Sequence, residues 1–176
     1  MTKLKIKRAI YIFVIISVCF IIQSTLFYRL SLGYASPDIM VIVASLVGFM
    51  RREREGLFAG AYCGLLMDLF SNTLFGFYML IFIVIGFFCG LFSESYYADD
   101  IKLPVGLVIL SDFVYHMYIY IGIFLLKGDT NLGRYLGTII FPSIIYTVII
   151  AVFLYLGLHF INKKLEHVER NGRTMR

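Results

Sequence analysis

The chain has 176 residues, of which 60% are hydrophobic and 15% charged, against roughly 45–50% and 25% in an average soluble domain. Its mean hydropathy is +0.87, more apolar surface than a water-soluble core of this size can hide, which excludes an ordinary soluble domain. The net charge of +5 does not point to nucleic acid, because the basic residues sit at the ends of apolar runs, where Lys and Arg set membrane orientation.

The apolar runs predict an all-α polytopic membrane protein: one bundle of six transmembrane helices over 1–161, then a charged cytoplasmic tail over 162–176. Six spans of about 20 residues need about 120, which leaves short loops and no attached soluble domain. The first span is expected at about 9–26. It follows a basic start (Lys3, Lys5, Lys7, Arg8) and is too long, with no small-x-small site after it, for a cleaved signal.

The second span, 37–50, opens on Ser36-Pro37-Asp38. Ser36 suits a cap, Pro37 the first helical position, and Asp38 the positive end of the helix dipole. Fourteen residues give about 21 Å at 1.5 Å per residue, short of a full bilayer, so a thinned or re-entrant segment stays open beside a full crossing. The charged turn Arg51-Arg52-Glu53-Arg54-Glu55 comes next, and the remaining spans are expected at 56–70, 74–92, 103–126 and 136–161.

Orientation follows from the basic residues. With the N-terminus inside and six alternating spans, Lys3, Lys5, Lys7, Arg8, Arg51, Arg52, Arg54, Lys102, Lys163, Lys164, Arg170, Arg173 and Arg176 fall inside, and Arg29, Lys127 and Arg134 fall outside. The positive-inside rule therefore predicts both termini in the cytoplasm.

The third span carries the sharpest pattern. Gly56, Gly60 and Gly64 recur every four residues, and Asp68 takes the next step. Such a stripe shares one helix face and lets another backbone come close. That neighbour is a helix of the same bundle, a partner's helix or lipid. Asp68, near the end of its run, sits at the headgroup level or bonds neighbouring backbone; the alternative is a buried polar contact that fixes the turn Ser71-Asn72-Thr73 or a partner.

Asp112 and His116 in the fifth span stand four apart and face the same way. They read as a structural hydrogen-bonding pair, with a ligand, transport or catalytic role as the alternatives. Two ligands are too few for a metal site, and no nucleophile with a base and no glycine-rich phosphate loop occurs. No catalytic, cofactor or metal residue is assigned. Cys19, Cys63 and Cys89, without CxxC spacing, read as small buried hydrophobes.

Taken in order, the basic start, the Ser36-Pro37-Asp38 opening, the basic turn, Gly56 to Asp68 and the Leu74-Phe-Gly76-Phe-Tyr-Met-Leu80 segment resemble the MreD family of bacterial rod-shape-determining membrane proteins. The likeness covers the whole chain in topology and is most specific from Pro37 to about Gly90. The resemblance implies a non-enzymatic scaffold subunit of the cell-elongation (lateral peptidoglycan synthesis) complex in the bacterial plasma membrane. Its implied partners are a bitopic MreC-like protein, the actin-like MreB, a wall polymerase and a transpeptidase, with lipid around it. It also implies a fold similar to the substrate-binding subunits of energy-coupling-factor vitamin transporters, so a small-molecule transporter subunit is the competing function. Such a subunit needs an outward cavity lined by groups such as Trp, Asn or Arg, and this chain has no Trp.

Overall fold

The computed structural model describes residues 2–27, 37–71, 74–95, 102–125 and 132–174, and these are mostly helical with no strand among them. Six main helices follow in order: α1 (Thr2–Ile22), α2 (Ile39–Arg51), α3 (Glu53–Phe70), α4 (Phe77–Leu91), α5 (Lys102–Ile119) and α6 (Phe141–Thr174). α1 and α5 run on into π-helical stretches, Gln23–Phe27 and Tyr120–Leu125, and α4 into a 3-10 turn, Phe92–Ser95. α6 is preceded by the helical turn Leu132–Tyr135 and the π-helical stretch Leu136–Ile140.

α2 is the centre of the bundle and packs against α1, α3, α4, α5 and α6. Its sequence explains this position: apart from Ser45 and the terminal Arg51 it is apolar on every face, so every face has to be covered. Twelve of its thirteen residues are buried. Ser45 is satisfied locally, its hydroxyl donating to the Val41 carbonyl at 2.8 Å. A helix sheathed by protein need not match the hydrocarbon thickness, so α2 can be short.

The other helices are buried along one stripe each. On α4 the buried residues are Ile81, Phe82, Ile85, Gly86, Cys89 and Gly90; on α5 they are Pro104, Val108, Ser111, Asp112, Tyr115 and His116. On α6, Ser143, Thr147, Ala151 and Tyr155 recur every four residues and are buried. The opposite faces are apolar and exposed, as at Val14, Val18 and Ile21 on α1 and Ile145, Ile149 and Phe153 on α6. In a water-soluble protein such surfaces would aggregate; here they are suited to lipid. Two helical stretches, Phe77–Glu94 and Lys102–Gly122, are long and apolar enough by themselves to cross a membrane. Ile10–Thr25, Ile39–Arg51 and Phe141–Gly157 are shorter apolar helices.

The expected charged turn between the second and third spans contracts to one residue. Arg51 closes α2, Arg52 alone is non-helical with φ 86°, and Glu53 already starts α3. The left-handed backbone at Arg52 lets α3 fold straight back along α2, and its strain is tolerated because both neighbouring helices hold it. The Arg52 N–H donates to the Gly48 carbonyl at 3.1 Å, and the Gly56 N–H donates to the Arg52 carbonyl at 2.9 Å. Glu53 and Glu55 lie in the first turn of α3, where the dipole favours negative charge.

Two helices joined by one residue must touch close to the hinge, and glycine makes that possible. A Cβ on Gly56 would collide with the Gly86 carbonyl oxygen and crowd Gly48. One on Gly60 would collide with the Phe82 carbonyl oxygen, and one on Gly64 with the Met79 backbone. The glycine stripe of α3 therefore lies directly against α4, the most extensive helix pair of the bundle.

Because the colliding atoms at Gly60 are backbone, Gly60→Leu cannot be absorbed by a rotamer change. It is expected to destabilise the bundle by at least about 1–3 kcal/mol. Gly106→Ala on α5, where a Cβ meets nothing within 4 Å, should leave stability unchanged or slightly raised. Thermal unfolding of the detergent-purified variants, followed by circular dichroism, measures both.

Candidate functional site

The polar residues of the bundle interior fall into two groups. The first is built around Asp68, buried at the C-terminal end of α3. Gly76, the N-cap of α4, has φ 95°, a conformation glycine adopts freely, and it has no side chain with which to cap the helix it begins. Asp68 supplies the missing acceptor from another helix. The Gly76 and Met79 N–H groups each donate to its Oδ2 at 3.0 Å, and the Tyr78 N–H donates to its Oδ1 at 2.9 Å. Three donors at the N-terminus of α4 are thus satisfied by one carboxylate, whose charge also suits the positive end of the helix. Gly56, Gly60, Gly64, Asp68 and Gly76 act together in joining α3 to α4.

The second group lies where α2 begins. There the expected helix start is displaced. Asp38, not Ser36, holds the N-cap position, with no hydrogen bond from its side chain to the helix; Pro37 is one residue outside, and Ser36 lies outside the described residues. The displacement has tertiary causes. The Asp38 N–H points at Thr147 Oγ1 on α6 (3.4 Å), and the Met40 N–H donates to Gln23 Oε1 from the π-helical end of α1 at 2.9 Å. The cap is therefore provided by α1, and the Asp38 carboxylate is freed for other partners.

Those partners are the residues of the fifth span. His116 Nε2 stands 3.6 Å from Asp38 Oδ2, and Asp112, four residues earlier on α5, shares the same face. Thr147 Oγ1 donates to Asp112 Oδ1 at 3.5 Å, and Ser143 hydrogen-bonds the Asp38 side chain. One ligand atom from each of Asp38, Asp112 and His116 lies within 4.8 Å of the others. Asp112 is completely buried and His116 is 6% exposed. Asp112 Oδ2 and His116 Nδ1 have no hydrogen-bond partner among the described residues. The Tyr115 ring lies beside His116, with centroids 5.5 Å apart.

Sequence reasoning singled out Asp112 and His116 as a pair and Asp38 as a helix start, and it did not connect them. Ser143 and Thr147 were missed, although their spacing of four within an apolar helix is the same signal that exposed Asp112 and His116. Chemically, the group can bind a proton or a cation and can tie the start of α2 to α5 and α6.

Removing the Asp68 carboxylate leaves three N–H groups of α4 without it in an apolar setting. Asp68→Ala is expected to lower stability by about 1–2 kcal/mol, as loss of a helix cap does. Asp68→Asn, which keeps one acceptor oxygen, should lose less. Chemical unfolding of the purified variants in mild detergent checks the order.

No curated protein and no solved structure matches the chain significantly. A family model described as rod shape-determining protein MreD matches residues 5–164. That match spans α1 to α6 and includes both polar groups, and on its strength the chain belongs to the MreD family of membrane proteins, whose role is the determination of rod shape.

Proposed function

We propose that this protein is a non-enzymatic scaffold subunit of the bacterial cell-elongation complex, the machinery that lays down lateral peptidoglycan. The observation that carries the proposal is the family match over residues 5–164. Its partners are a bitopic MreC-like protein, the actin-like MreB, and the wall polymerase and transpeptidase that build the glycan. The interior supports this reading over a transporter subunit. α2 fills the centre of the bundle with Ile39, Met40, Val41, Ile42, Val43, Ala44 and Leu46, each at most 4% exposed. Two surface clefts have apolar walls suited to lipid or to a partner's transmembrane helix. One is formed by Val14, Val18, Ile150 and Phe153, and the other by Val84, Phe88, Leu107 and Leu110.

In the same proposal the chain crosses the plasma membrane six times over 1–161, with both termini in the cytoplasm and α2 as the buried second crossing. In intact cells, an impermeant thiol reagent is expected to label Asn131→Cys and to leave Arg54→Cys and Lys163→Cys unlabelled. Labelling of Arg54→Cys from outside would place the hinge between α2 and α3 on the wrong side and defeat the six-crossing topology.

Affinity purification from native membranes tests the function. Wall-synthesis proteins and an MreC-like protein are expected to co-purify, and depletion of the protein should turn rods into spheres. Recovery of an ATPase pair with its coupling subunit, with cell shape unaffected, would replace the scaffold by a transporter subunit.

A further inference from the structure

Two carboxylates and an imidazole converge inside the bundle from helices that are remote in sequence. Asp38 comes from the start of α2, and Asp112 and His116 come from α5, with one ligand atom of each within 4.8 Å of the others. Two carboxylates this close, removed from water, cannot both be ionised without strong repulsion unless a cation lies between them. The ion-pair contact that the described residues supply to Asp38 is His116, which carries at most one positive charge. Asp112 Oδ2, on a fully buried side chain, is without a hydrogen-bond partner among the described residues.

We propose that Asp38, Asp112 and His116 form a binding site for one divalent transition-metal ion of the zinc class. A dication cancels both carboxylate charges. It also gives each of the three side chains a stronger partner than the contacts they make with one another. The spacing suits it. Bonds of about 2.0–2.1 Å from a tetrahedral ion place neighbouring ligand atoms about 3.3–3.4 Å apart, and His116 Nε2 and Asp38 Oδ2 already stand at 3.6 Å. The imidazole nitrogen favours zinc and its neighbours in the transition series over magnesium or calcium, which prefer oxygen alone. Ser143 on Asp38 and Thr147 on Asp112 supply the outer hydrogen bonds that orient metal-binding carboxylates. Bound there, the ion fastens the start of α2 to α5, with α6 holding the ligands in place.

The test uses the full-length protein in detergent, with its affinity tag removed and with His159→Gln and His167→Gln to eliminate the other two histidines. After stripping with a chelator and desalting, the protein is loaded with Zn2+ and its metal content is measured by mass spectrometry. One Zn2+ per chain is expected, with a rise of several degrees in Tm that Mg2+ does not reproduce. Asp112→Asn and His116→Gln should each weaken Zn2+ binding at least about tenfold while circular dichroism stays unchanged. Metal content well below one equivalent, or Zn2+ binding unaffected by either substitution, overturns the site. If neither variant folds, the parent protein decides through Co2+. Intense visible bands of four-coordinate Co2+ support the site, and the pale spectrum of aqueous Co2+ overturns it.

Discussion

The bundle is organised by a meeting of three backbones. Gly48 of α2, Gly56 of α3 and Gly86 of α4 approach so closely that a Cβ on any of them would strike backbone of one of the others. Because Arg52 is the only residue between α2 and α3, the two helices have no loop with which to separate, and only residues without side chains let them lie together. From this node the glycines of α3 continue along α4, past Phe82 to Met79, and the seam closes where Asp68 gathers the N–H groups at the start of α4. Helices in lipid associate through van der Waals packing and interhelical hydrogen bonds, because apolar side chains gain little from leaving their surroundings, and close backbone contact strengthens that packing.

Once α2 is pinned at its C-terminal end, its N-terminal end is committed to the interior. A helix that starts inside a bundle must have its first N–H groups satisfied by its neighbours. Gln23 does this for Met40, and Thr147 faces the N–H of Asp38. The Asp38 side chain is then left to meet α5 and α6. The acidic, imidazole and hydroxyl groups assembled there cost more than an apolar packing of the same volume, because intramembrane hydrogen bonds average only about 0.6 kcal/mol each. The cluster also leaves Asp112 Oδ2 and His116 Nδ1 without hydrogen-bond partners among the described residues, and it is this imbalance that the proposed metal ion would relieve.

The same distinction separates the two buried aspartates of the helix ends. Asp68 has its carboxylate saturated by three N–H donors from one neighbouring helix and is fully accounted for as a cap. Asp38 occupies a cap position and does not cap. A carboxylate at a helix start satisfies its own helix when nothing else competes; here the competition comes from His116 and Ser143, which are positioned by other helices.

Much of this was legible in the residues. Apolar runs bounded by charge set the helical class, and the four-residue spacing of Gly56, Gly60, Gly64 and Asp68 marked the close helix contact. The spacing of Asp112 and His116 marked a shared polar face. These are local properties: a helix brings positions four apart onto one side whatever surrounds it. Which helix fills the glycine groove, which N-terminus Asp68 caps, and that Asp38, Ser143 and Thr147 join Asp112 and His116 are not local. Nor is the cap at Asp38 local, since a helix start read from Pro37 and Asp38 takes no account of Gln23 reaching in from the π-helical end of α1. Local chemistry determined the helices and the polar residues they carry; only the packing of α2 inside the other five decided which of those residues meet, because contacts between helices depend on how whole faces fit together and not on spacing along one chain.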